Sequence, residues 1–338
     1  MTTSQRSLAL LSGASISALG LAMPAYGAVV TNPGPAPHVI VSATSITDTL
    51  VICAIDDDPD AVDCLYGVSN TGGTGLQTAT VNAPANGQVQ QVLTATGPGS
   101  TVNGTISNNG DAEIQALVTA GAAAGAANAE AFIEDAVQQI GKAPGNVILG
   151  FTNSATLLID AVATATANIA LARATELNGI FQRADSTGTG DAVVAATNSG
   201  TLTVVATANA NGGATGRALA GLANGIYQIA DAPGDLGSAA IDNEGSIVFG
   251  AAAFASGDDA YALAYATGLR QDVVALTGNA AITNAGTLVV SGDATASGAT
   301  TASAYAYATG VQQEFGLLAE KGDAAVLNSG TMTVTANA

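Results

Sequence analysis

The stretch TNAGTLVV at residues 283–290 decides the fold, because it recurs along the chain. Related strings start around Asn108, Asn153, Asn198, Asn243, Asn284 and Asn328, and read SNNGDAEI, TNSATLLI, TNSGTLTV, DNEGSIVF, TNAGTLVV and LNSGTMTV. The Asn-to-Asn intervals are 45, 45, 45, 41 and 44 residues. Most of these strings place an Asn–small–Gly turn before alternating apolar and polar residues, which is a strand signal. A fixed period of this length marks a repeat architecture.

Two further blocks travel with the first. One reads NGIFQ (178–182), NGIYQ (224–228), TGLRQ (267–271) and TGVQQ (309–313), with small residues alternating ahead of it, as in TASAYAYATG. The other reads GDAVVAATN (190–198), GSAAIDN (237–243), GNAAITN (278–284) and GDAAVLN (322–328). The unit is therefore strand, alternating Ala-rich strand, Gly-Asp or Gly-Asn turn, short strand, and the Asn turn again. Residues 116–132 and 167–179 also suit helix by propensity. The aligned pieces 201–210 and 301–310 alternate strictly and carry Val, Thr or Tyr, so strand is the reading for the array.

These features predict an all-β chain: a right-handed parallel β-helix of about 44-residue repeats behind an irregular, disulfide-tied N-terminal cap. Each unit is expected to hold two turns of about 22 residues. Five units would then form a rod on the order of 50 Å long at the usual strand spacing. Asn153, Asn198, Asn243, Asn284 and Asn328 should stack at one corner, where Asn and Gly tolerate positive φ. Gln182, Gln228, Gln271 and Gln313 should form a second ladder at the surface or a corner.

Residues 1–28 have the pattern of a secretory signal: Arg6, a charge-free stretch from Leu8 to Leu21, and Ala25-Tyr26-Gly27 or Tyr26-Gly27-Ala28 as the cleavage site. Its removal leaves six basic side chains against 26 acidic ones, a charge of −20. Such a charge argues against nucleic acid and anionic membranes as partners. Residues 29–107 read as the capping region and 108–338 as the repeat array, which stops inside a unit.

Cys53 and Cys64 are the only cysteines and are expected to pair in an exported chain. A bridge over so short a loop would contribute roughly 3 kcal/mol in the chain-entropy picture. Between them stand Asp56, Asp57, Asp58, Asp60 and Asp63. They lack the Gly and the closing Glu of an EF-hand and read as a solvated acidic loop; Ca²⁺ is the one ion they would suit. No other cofactor is expected.

Little in the array suggests catalysis. His38 is the only His and lies in the Pro-rich lead-in, so no Ser-His-Asp triad can form in the array. Asp191, Asp235, Asp258, Asp259, Asp293 and Asp323 mostly follow Gly at turns, and Arg173, Arg183, Arg217, Arg270 and Lys321 are scattered singly. Tyr265 and Tyr307, with Tyr261 and Tyr305, should share one face, as a packing ladder or as a patch for a glycan or another cell.

The signal together with the N-S/A/E-G-T-L-x-V and A-x-A-x-A-x-G-I/V-x-Q repeats resembles the passenger regions of bacterial autotransporter-type surface proteins, over residues 108–338. The resemblance implies export, passage of the outer membrane through a β-barrel translocator, and display or release as an adhesin-like rod. Host-cell, glycan or matrix surfaces would be its partners. Two other readings remain at this point: a secreted carbohydrate-active β-helix working on acidic polysaccharide through paired aspartates, and a fibre or surface layer built by end-to-end self-association.

Overall fold

A computed structural model describes residues 29–32, 38–42, 46–53, 64–71, 77–82, 89–121, 125–316 and 320–338, with side chains from Val89 onward. The strands are β1 (Val29–Asn32), β2 (His38–Ser42), β3 (Ile46–Cys53), β4 (Cys64–Thr71), β5 (Gln77–Asn82) and β6 (Val89–Ala95). They continue as β7 (Val102–Asn108), β8 (Ala112–Gly121), β9 (Ala126–Ala143), β10 (Val147–Asn153), β11 (Thr156–Ser186) and β12 (Ala192–Asn198). The last are β13 (Thr201–Asn243), β14 (Ser246–Asn284), β15 (Thr287–Phe315), β16 (Lys321–Asn328) and β17 (Thr331–Asn337). All pair in parallel within one sheet wound on itself, a parallel β-helix.

The register shows what one unit is. Asn153 pairs with Asn108 on one side and Asn198 on the other. Gln182 likewise sits between Gln139 and Gln228. Each repeat is thus one complete coil, and the expected pair of 22-residue turns per unit is corrected. The register is the reason: a turn of 22 residues would set Asn153 against Thr175, whereas each amide pairs with its own kind one full repeat away. At about 4.8 Å per coil, five units advance roughly 24 Å, half the expected length.

The shorter 41-residue interval is absorbed at corners. Between β13 and β14 the register slips after Asn211, Leu222 and Ala232, and is regular between these points. Flat segments therefore keep their columns while bends take up the length change.

The Asn corners need glycine for a reason other than the expected positive φ. Among the described residues only Gly99, Gly125 and Gly257 have φ in or near the left-handed range. At Gly200, Gly245, Gly286 and Gly330 a Cβ would instead collide with the carbonyl oxygen of Ala155, Gly200, Gly245 and Gly286, each stacked one coil below. Close backbone approach, not handedness, selects Gly here.

The N-terminal strands join the same stack. β2 pairs with β6, β3 with β7, β4 with β8 and β5 with β9, all in parallel. Backbone pairing thus begins before Asn108, in the region read as an irregular cap.

Inside, the alternation of each strand places Leu, Ile, Val and Ala inward. The column Ile114, Ile159, Val204, Phe249, Val290 includes Phe249, the largest fully buried side chain among the described residues. Glycines of the second block make room for it: a Cβ on Gly179, Gly268 or Gly310 would come within 2.6 to 2.7 Å of a methyl of Val204, Val290 or Val334. Elsewhere the interior is mostly Ala, so facing sheets lie close. At Gly292 even a Cβ would meet the backbone of Tyr307.

Candidate functional site

The ladders foreseen in the sequence form, and both are internal. Asn108, Asn153, Asn198, Asn243 and Asn284 each donate Nδ2 to Oδ1 of the next Asn, at 2.7 or 2.8 Å, ending on Asn328. Each of these Nδ2 groups also reaches a backbone carbonyl in the following coil, such as Thr156 O at 3.1 Å. Since a carbonyl can only accept, this contact fixes which amide atom is nitrogen.

The glutamine ladder runs the other way. Gln139, Gln182, Gln228, Gln271 and Gln313 donate Nε2 to Oε1 of the preceding Gln at 2.7 to 2.9 Å, beginning on Gln91. Each also crosses the interior to a carbonyl on the facing strand, as Gln182 does to Ala195 O at 3.1 Å. Gln182, Gln228 and Gln271 are wholly buried, which corrects a surface position for this ladder. It divides the interior into a larger core holding Ile180, Ile226 and Leu269 and a smaller one holding Ala184, Ala230 and Val273. Gln91 and Gln139 fall outside the G-I/V-x-Q pattern, since Gln88 and Ala136 stand where the other coils carry Gly. The shorter signal V-Q-Q, at Val89, Val137 and Val311, would have found them.

Other expected sites do not converge. Cys53 ends β3 and Cys64 opens β4; their side chains, with Asp56, Asp57, Asp58, Asp60 and Asp63, lie outside the described residues. Among the described residues no group of three His, Cys, Asp or Glu side chains is placed to hold a metal. The turn aspartates serve locally: Asp293 accepts from Asn337 at 2.7 Å, and Asp259 accepts from the Thr301 hydroxyl.

One buried acid breaks the pattern. Glu176 occupies an inward column between Ile133 and Leu222 and is wholly buried, with neither carboxyl oxygen hydrogen-bonded. Burial, and then the nearby Asp160 charge, push its pKa well above the ordinary 4.5, which favours the neutral acid. Asp160, with one buried oxygen also unpartnered, is pushed up to about 6 by burial and then by Glu113. Two carboxyls raised together resemble an acid–base pair. Glu176, however, has no exposed surface through which to meet a substrate.

The outer surface carries two unlike faces. On the one formed by residues 181–185 and their stacked equivalents, polar groups are paired. Arg270 lies 4.8 Å from the Tyr227 ring centre and donates to Asp272 at 3.0 and 3.2 Å. The Tyr227 hydroxyl donates to Asp272 at 2.5 Å, and its pKa is pushed up to about 12, by burial first and then by that bond. Lys142–Asp185 and Arg183–Asp231 pairs flank it at 3.2 and 3.8 Å.

The other face is formed by residues 169–175 and their equivalents. Its outward columns run Leu171, Arg217, Tyr261; then Arg173, Leu219, Leu263, Tyr305; then Thr175, Gly221, Tyr265, Tyr307. Tyr265 is exposed by 37%; Tyr305 and Tyr307, at 48 and 59%, belong to the last described coil, where inward Ala304 and Ala306 are also part-exposed. Tyr261 and Tyr305 meet at 5.8 Å between ring centres, and Arg217 lies 5.5 Å from the Tyr261 centre. The structure thus brings together the four tyrosines expected to share a face.

Comparison with known protein families, curated proteins and solved structures found no match.

Proposed function

We propose that this chain is an exported β-helical rod used for contact at a cell surface, in the manner of an autotransporter passenger, without catalysis of its own. The observation that carries the reading is the tyrosine–leucine face on residues 169–175 and their stacked equivalents. Large exposed apolar side chains gathered on one flat face of a soluble protein mark an interaction surface. Aromatic residues with an adjoining Arg are also the composition that contact patches favour. The internal ladders support the mechanical part: each coil is bonded to the next by backbone and by two side-chain chains, which gives a stiff presenting scaffold. Export is supported by the pattern of residues 1–28.

The test is display of the full chain in its own signal-bearing form. The account expects the mature chain in the outer-membrane or medium fraction, and attachment of coated beads to cell or matrix surfaces. That attachment should fall to background when Tyr261, Tyr265, Tyr305 and Tyr307 are all changed to Ser. Cytoplasmic retention, or attachment indifferent to the four changes, would overturn it.

A further inference from the structure

The same face also indicates what it would hold, an inference that rests on the contact reading above. Tyr227, on the neighbouring face, is committed: its hydroxyl bonds Asp272 and its ring faces Arg270. Among the described residues the hydroxyls of Tyr261, Tyr265, Tyr305 and Tyr307 have no hydrogen-bond partner within the chain. Tyr265 shows the geometry most clearly. It stacks one coil above Gly221, and a Cβ on that glycine would fall on the Tyr265 ring at Cζ, Cε1 and the hydroxyl. Glycine therefore lets the ring lie back along the sheet, with one face on the backbone beneath. Tyr307 continues this column into the next coil, and Tyr305 stands beside it, two residues along the strand.

We infer that this face is a binding platform for an uncharged polysaccharide. Rings laid along a flat sheet offer apolar surface to the C–H faces of pyranose rings, and unpaired tyrosine hydroxyls can bond the sugar hydroxyls at their rims. Neighbouring coils stand about 4.8 Å apart and alternate residues on one strand about 6.8 Å apart. Those spacings suit successive sugars of an extended chain lying across the coils.

Charge selects against other occupants. The chain carries −19, which repels acidic polysaccharides, anionic lipid and a second copy of itself. The middle of the platform, at Leu219, Leu263 and Gly221, is uncharged, and the nearby Arg217 is engaged with Tyr261.

The experiment is retention of the purified full chain on insoluble cellulose, xylan and amylose, with alginate as the acidic comparison. Retention on at least one uncharged polymer is expected, reduced at least tenfold in Y265S/Y307S and unchanged in Y227F, with circular dichroism unaltered in both variants. No retention on any uncharged polymer, retention indifferent to Y265S/Y307S, or preference for alginate would overturn the proposal. If sugars fail while the four-Tyr variant still abolishes attachment to surfaces, only the sugar assignment falls. If neither sugars nor surfaces depend on these tyrosines, the contact reading falls with it.

Discussion

Gln182 and Glu176 stand on the same strand, β11, both wholly buried and both polar, yet their situations are opposite. Gln182 donates to the Gln of the coil before, accepts from the Gln of the coil after, and crosses to the carbonyl of Ala195. Glu176 has apolar residues above and below it and no hydrogen bond on either oxygen. In a stack, each buried group is satisfied by its own copy one coil away. A polar residue repeated in every coil is therefore well accommodated, and the same burial is costly when it occurs once.

The sharpest way to break this contrast is Gln228→Leu. The change deprives the amides of Gln182 and Gln271 and the carbonyl of Ala240 of a partner. At about 1–3 kcal/mol for each buried group left unpaired, a loss on the order of 4 kcal/mol is expected in denaturant unfolding. A loss below about 1 kcal/mol would mean the ladder contributes little beyond its packing.

Glu176→Leu should act in the opposite direction. Leu fits a column that already holds Ile133 and Leu222 and removes an unpaired buried acid, so stability at pH 7 should rise by about 1–3 kcal/mol. Destabilisation by this change would show that the acid has a partner.

The pH dependence gives a finer test. Glu176 and Asp160 both have folded pKa values raised above their ordinary 4.5 and 3.8. Each contribution is therefore fully present below the ordinary value and is lost as pH rises through the folded one. For Asp160 the loss falls between about pH 4 and 6. The wild-type chain should become less stable from pH 4 to 7 relative to Glu176→Leu, so the advantage of the variant should grow across that range. An advantage constant with pH would contradict a neutral, buried Glu176.

The smallest effect is expected on the outside. Tyr265→Ser should change stability by no more than about 0.5 kcal/mol, because the ring rests on Gly221 and joins neither ladder. A larger loss in thermal unfolding would make the tyrosine face a packing device and weaken its reading as a contact surface.

Much of this was legible in the chain. The Asn interval and the G-I/V-x-Q block located both ladders, and the alternation of the Ala-rich pieces identified strands where propensity alone also allowed helix. The number of coils per unit was legible too: a 22-residue turn would set Asn153 against Thr175 and Gln182 against Val204, whereas one coil per unit sets each amide on its own kind. Glu176 could be found by aligning its column, where the neighbouring coils carry Ile133, Leu222 and Ala266. The early coils were harder to see, because Ile46 pairs with Val102 and Gln77 with Ala127, at spacings longer than those of the array. What the sequence could not carry was the depth of the Gln ladder. Its placement depends on the carbonyl of a facing strand, such as Ala240 for Gln228, and so on how the coil closes.

The central claim is one coil per repeat, and a single distance tests it most directly. Leu158, Thr203, Val248, Val289 and Thr333 stack in one outward column, coil upon coil. Spin labels on Leu158→Cys and Thr333→Cys, with Cys53 and Cys64 replaced by Ser, should lie four coils apart, about 19 Å between backbones. A separation of about 38 Å would mean two turns per repeat, and both ladders as described would be wrong.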